Sequence, residues 1–117
     1  MPESYMDELK QQFEAGEGSF LIQMRGMVWN KEAFSKLVRA MEACCKACEG
    51  QQSFERWLAA GFWYTSWYVR YWTQHPNYPR PEPQQYHQKA LQRLDDLAWW
   101  FFTGHSPYEG GSGFDPL

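Results

Sequence analysis

Apolar residues branched at Cβ are nearly missing from this chain: Ile22, Val28, Val38 and Val69 are its only isoleucine and valines in 117 residues. Such residues fit the pleated surface of a sheet, so their scarcity argues against strands and for helices. Basic runs are missing too, because no two Lys or Arg residues are adjacent and the net charge is −3. Nucleic-acid binding needs a basic footprint that displaces counterions, so it is not expected. No stretch of ~18 apolar residues occurs, since Arg56 and Arg70 interrupt the best candidate, and no membrane span is expected. Met1 to Lys10 carries Glu3, Asp7 and Glu8 with no apolar region, which does not read as a secretory signal. The three cysteines, Cys44, Cys45 and Cys48, are odd in number and crowded together, unlike a disulfide framework. A reducing cytoplasm is the expected location. There is no G-x-S-x-G, no glycine-rich phosphate loop, no H-E-x-x-H and no cysteine with an activating histidine. The chain therefore reads as non-enzymatic, with no residue assigned to catalysis, metal or cofactor.

What the chain has is rings. Phe, Trp and Tyr make up 19% of it, and each can bury ~150–250 Å². Phe54, Trp57, Phe62, Trp63, Tyr64, Trp67, Tyr68, Tyr71 and Trp72 fall in one segment that runs unbroken to His75-Pro76. Wound as a helix, these rings cover most of its circumference, and a helix apolar nearly all round is expected to be buried on several sides. The segment over 54–74 is therefore expected to be the central post of an all-α bundle. Four other helices are expected around it. One spans about 5–15, with Tyr5, Met6, Leu9 and Phe13 on one face, and a short one spans 20–28 with Phe20, Met24 and Val28 aligned. A third follows the N-cap Asn30 to about Glu49, with Phe34, Leu37, Val38, Met41 and the three cysteines inside one arc. The last spans 84–103 and stops at Gly104. Ser53 is the expected N-cap of the aromatic helix. Pro79, Pro81 and Pro83 make the segment before the last helix an extended strut, with Tyr78 packed across a helix end. Residues 1–117 form one domain in this reading, with 104–117 a coil tail pinned by Tyr108 and Phe114.

Several polar groups invite a functional reading and have a simpler structural one. Cys44, Cys45 and Cys48 lie on the apolar stripe near a helix C-terminus, where the dipole does not activate a thiol, so burial as small hydrophobes is expected. His75 and His105 flank helix ends, where an imidazole meets terminal carbonyls. His87 projects from the apolar face of the last helix. Asp95 sits at the edge of that face, and Arg70 is its expected partner.

The four consecutive rings Trp99-Trp100-Phe101-Phe102 must splay over more than half of a helix, with Trp99 and Trp100 on its flanks, where either the strut and tail cover them or they stand at the surface. Trp100 lies about 180° from Leu91 on the helical wheel, which makes it the ring least able to join the core. With Asp96 one turn earlier and Tyr108 in the tail, it is expected to form a partner-binding surface, because Trp anchors are favoured at interfaces.

With a Phe20-Leu21-Ile22-x-Met24-Arg25-Gly26 opening and a Trp99-Trp100-Phe101-Phe102-Thr103-Gly104 close, this short, acidic, Trp-rich helical chain resembles the small bacterial immunity proteins of toxin–immunity systems. The likeness is one of size and composition and assigns no role to any single residue. It implies stoichiometric binding and neutralisation of a toxin domain, a basic one suiting an acidic chain. The alternative is a small-ligand or cofactor-binding helical protein, with aromatic walls, His87 and Cys45 holding haem or a flat organic molecule between helices.

Overall fold

The computed structural model describes residues 4–108. Its elements are α1 (Ser4–Phe13), α2 (Phe20–Arg25), α3 (Lys31–Ala47), α4 (Arg56–Thr73) and α5 (Gln84–Thr103), with no strand among the described residues. The all-α class and the five helices match the sequence-based expectation. Phe114 lies outside the described residues.

Local chemistry explains most of the helix ends. Ser19 accepts a hydrogen bond from the Ile22 N–H and starts α2, and Asn30 accepts from the Ala33 N–H at 3.0 Å and starts α3. Gly104 closes α5 in the left-handed region with φ 79°, its N–H returning to the Trp100 carbonyl at 2.8 Å. Two expectations fail at such ends. Glu55, not Ser53, is the N-cap residue of α4, and it makes no side-chain cap. The chain stays extended through Glu55, next to Phe54, which lays its ring on Phe101 at 4.5 Å. Helix α2 also ends at Arg25, and Met27 turns the chain with φ 68°. Val28 thereby leaves the face of Phe20 and Met24 and stands half exposed.

The core lies where α3 meets α1 on one side and α5 on the other, with α4 laid along α5. Phe34, Leu37, Val38, Met41, Cys44 and Cys45 of α3 and Cys48 at its C-cap are all buried, as the stripe requires. Phe20, Trp29 and Phe34 pack ring against ring at one end, and Phe62 stacks on Phe101 at 4.2 Å near the other. Phe13 bridges α1 to α4 edge-on to Phe62 and Trp57, with its ring against Gly61. A side chain at that glycine would occupy the space of the ring. The strut docks as expected: Tyr78 is buried, lies against Trp72, and donates its hydroxyl to the Met24 carbonyl.

The aromatic helix is not the central post. Leu58, Phe62, Thr65, Tyr68, Val69 and Thr73 of α4 face inward, while Trp63, Tyr64, Trp67 and Tyr71 face out. Its main packing partner is α5, so it is the flank of the bundle. The outward rings cover one another. Trp63 stacks on Trp67 at 6.0 Å and Trp67 on Tyr71 at 5.2 Å, a ladder at the i, i+4 spacing of one helix face.

Candidate interaction surface

The three residues expected to bind a partner do not make one surface. Trp100 is 5% exposed, and its indole N–H donates to the Glu49 carboxylate at 2.7 Å, just beyond the end of α3. Trp100 does stand opposite Leu91 around the helix, but Leu91 is itself only half buried. The buried arc of α5 is centred on Ala90, Leu97 and Phe101, and Trp100 closes its α3 side. Asp96 and Tyr108 do meet, the phenol donating to the carboxylate, and Gln92 donates to the same carboxylate at 2.9 Å. Burial, with Asp96 beside it, raises the Tyr108 pKa. This cluster ties the start of the tail to α5, so the Asp96 carboxylate is already engaged within the chain.

The rings left outside are different ones. Trp63 is 61% exposed, Trp99 58%, Phe102 51%, Trp67 48%, Tyr71 47% and Tyr64 41%. They are contiguous. Trp63 and Trp67 form one wall of a groove between α4 and α5, Trp99 and Phe102 the other, and Ser66, Ala98 and Thr103 also line it. Tyr71 and Tyr64 extend the α4 wall through their contacts with Trp67. Six rings about half open amount to roughly 500–750 Å² of aromatic surface, at or above the ~300–600 Å² of the largest patch on an ordinary monomer.

One polar group of three residues sits in the groove. Asp95 accepts from the Ser66 hydroxyl at 2.9 Å and from the Arg70 guanidinium at 2.5 Å. The pair expected from the sequence is therefore present, with side chains 41% and 46% exposed. One cation faces one anion, and α4 itself carries no acidic residue. The face is electrically balanced, although the chain as a whole is acidic. An exposed pair of this kind adds about 1 kcal/mol or less to stability; its chemical content is a hydrogen-bonding handle between aromatic walls.

Other polar groups offer less. Burial pushes the Cys44 thiol up to about 12 and raises Cys45 further, while Cys45 donates to the Leu97 carbonyl at 3.4 Å. Thiols held protonated in this way are poor nucleophiles and poor metal ligands. Among the described residues no group of three His, Cys, Asp or Glu is placed to hold a metal ion. The His87 ring lies edge-on to Trp29, and its Nε2 is buried with no hydrogen-bond partner among the described residues. Burial lowers its pKa, and Arg80 and Arg70 add to the effect. No described helix is long and apolar enough to cross a membrane.

No protein-family model, curated protein or solved structure matches this chain. The functional reading therefore rests on the surface itself. Sequence reasoning missed Trp63, Trp67, Tyr71 and Phe102 as its components and left Trp99 open between the surface and cover by the tail. The signal available was the i, i+4 series 63–67–71, which lies roughly opposite Leu58 and Phe62 on the wheel.

Proposed function

We propose that this chain is a non-enzymatic protein-binding module and that its partner docks on the aromatic face of α4 and α5. The observation that carries the reading is the contiguous set of Trp63, Trp67, Tyr71, Trp99 and Phe102 at the surface. Trp and Tyr give large contact area at low entropy cost, and well-packed Trp residues are frequent anchors of binding energy. The partner contributes apolar side chains that enter the groove, and a hydrogen-bonding group that meets Ser66, Arg70 or Asp95. A toxin domain, the partner that the immunity-protein resemblance implies, would bind here mainly by apolar burial. The balanced charge of the face favours neither a basic nor an acidic partner. The test is capture of the partner from the native host with wild-type protein and with Trp67→Ala/Trp99→Ala, read by mass spectrometry. A stoichiometric protein held by the wild type and lost by the folded variant supports the reading. Equal capture by both removes this face from it.

One observation favours the small-ligand alternative. A groove of about 500 Å³ between α1 and α4, walled by Phe13, Trp57 and Tyr64, is also lined by Thr65. Thr65 is fully buried, and its hydroxyl has no partner among the described residues. A flat organic ligand seated beside Phe13 would satisfy that hydroxyl after a small shift of the ring. A ligand absorption band in protein purified from the native host, lost on Thr65→Val, would support it.

A further inference from the structure

Five half-open rings along α4 and α5, with Tyr64 at their border, present apolar surface in the upper part of, or above, the range that an isolated small domain ordinarily keeps. We infer that in the unbound state two copies of this chain bury the face against each other across a two-fold axis. The inference rests on the protein-binding reading for the identity of the face and adds what covers it before a foreign partner arrives.

Three observations carry it. The first is area. Fully covered, the six side chains would remove at most about 1,000–1,500 Å² from water over two copies, which overlaps the lower part of the ~1,200–2,000 Å² range of stable interfaces. The second is shape. The ladder of Trp63, Trp67 and Tyr71 is a ridge along one helix, and the groove bounded by Trp99 and Phe102 runs beside it. A ridge next to a groove is self-complementary, since a two-fold rotation sets each ridge into the other copy's groove, the isologous arrangement of symmetric dimers. The third is charge. Arg70 and Asp95 are each nearly half exposed in that groove, so the rotation can bring the cation of one copy towards the anion of the other. The net charge of −3 per chain opposes association only weakly. It is spread over a body 41 × 30 × 23 Å in extent, and at physiological salt charges are screened beyond about 8 Å.

The experiment is sedimentation equilibrium of the full chain from low-micromolar to near-millimolar concentration. It compares the wild type, Trp67→Ala/Trp99→Ala, and Lys36→Ala on the exposed side of α3, with circular dichroism confirming that each is folded. The wild type is expected to dimerise. The double variant should weaken the dimer by at least about a hundredfold, because each lost anchor counts once per copy. Lys36→Ala should leave it unchanged. If the aromatic variant does not fold, Arg70→Glu takes its place: it should weaken the dimer by setting carboxylates against Asp95, and adding Asp95→Arg should restore it. A wild type that stays monomeric throughout overturns the inference, as does a dimer indifferent to both sets of substitutions. A monomeric wild type that still captures a foreign protein through Trp67 and Trp99 overturns the dimer and leaves the protein-binding reading standing. A dimer released by the variant, with no foreign protein captured, upholds the dimer and removes the foreign partner.

Discussion

Tyr78 and Met24, more than fifty residues apart, are joined by a 3.0 Å hydrogen bond from the phenol to the backbone carbonyl, both residues being buried. The bond fixes the proline strut to α2 and so sets where α5 begins. Burial, with Tyr68 adding a smaller effect, pushes the Tyr78 hydroxyl up to about 12, so it remains a donor throughout the physiological range.

Tyr78→Phe keeps the ring against Trp72 and removes only the donor, leaving a buried carbonyl at the end of α2 without that bond. The Met24 carbonyl keeps the Met27 N–H at 3.0 Å, so the expected loss is that of one hydrogen bond, about 0.5–1.5 kcal/mol. Urea unfolding at neutral pH, with the slope unchanged, measures it. A stability equal to wild type would mean that ring packing on Trp72, and not the phenol hydrogen bond, docks Tyr78.

Gly61 and Phe13 make a second such pair. A methyl at Gly61 would overlap the Phe13 ring, which is the bridge between α1 and α4. Gly61→Ala should therefore cost about 1–3 kcal/mol through overpacking, although alanine is intrinsically the better helix former by about 1 kcal/mol. In a Phe13→Ala background the clash is gone, and the same substitution should become neutral or stabilising. The double-mutant cycle reads this change of sign directly, and an effect of Gly61→Ala that is the same in both backgrounds would refute the contact.

These two pairs mark where sequence reading stops. The α3 stripe, the Asn30 cap, the Gly104 stop, the docked strut and the Arg70–Asp95 pair were all legible, because each depends on local spacing or on a single charge seeking its opposite. The position of α4 was not. A hydrophobicity pattern records that a helix has rings on every side, but not whether neighbours or the rings themselves cover them. Here Trp63, Trp67 and Tyr71 stack on one another and stay outside. The side of α5 that meets α3 was also out of reach, since it depends on which arc Leu97 and Ala90 centre. Taking Leu91 as the reference rotated the core by about a quarter-turn and put Trp100 outside in place of Trp99.

His87 supplies a pH test. Burial, helped by the positive charge of Arg80 and Arg70, keeps its folded-state pKa below the ordinary 6.5. As pH falls, the unfolded chain takes up this proton before the folded one does, so protonation favours unfolding. The contribution of the neutral ring is whole above 6.5 and declines as pH drops through that value towards the lower folded one. His87→Gln, which cannot titrate, should lose less stability than wild type on going from neutral to mildly acidic pH. Thermal melts at stepped pH check the difference, and parallel curves for the two proteins would show that His87 does not feel its surroundings in this way.

Trp99 and Trp100 are adjacent in sequence and opposite in environment, so one pair of substitutions separates surface from core. Trp99 is 58% exposed at the groove, and Trp100 is 5% exposed with its N–H on Glu49. Trp99→Ala should change the unfolding free energy by about 0.5 kcal/mol or less when measured on the dilute, unassociated chain. Trp100→Ala empties a buried site beside the end of α3 and should cost about 3–5 kcal/mol. The order reverses for binding. Trp99→Ala should weaken association through the α4–α5 face by about tenfold or more, whereas Trp100→Phe, which keeps most of the packing, should leave association unchanged while the protein stays folded. Chemical denaturation and sedimentation on the same three preparations give both readings. A large stability loss for Trp99→Ala would mean that the indole is covered in solution, and the open face would have to be redrawn without it.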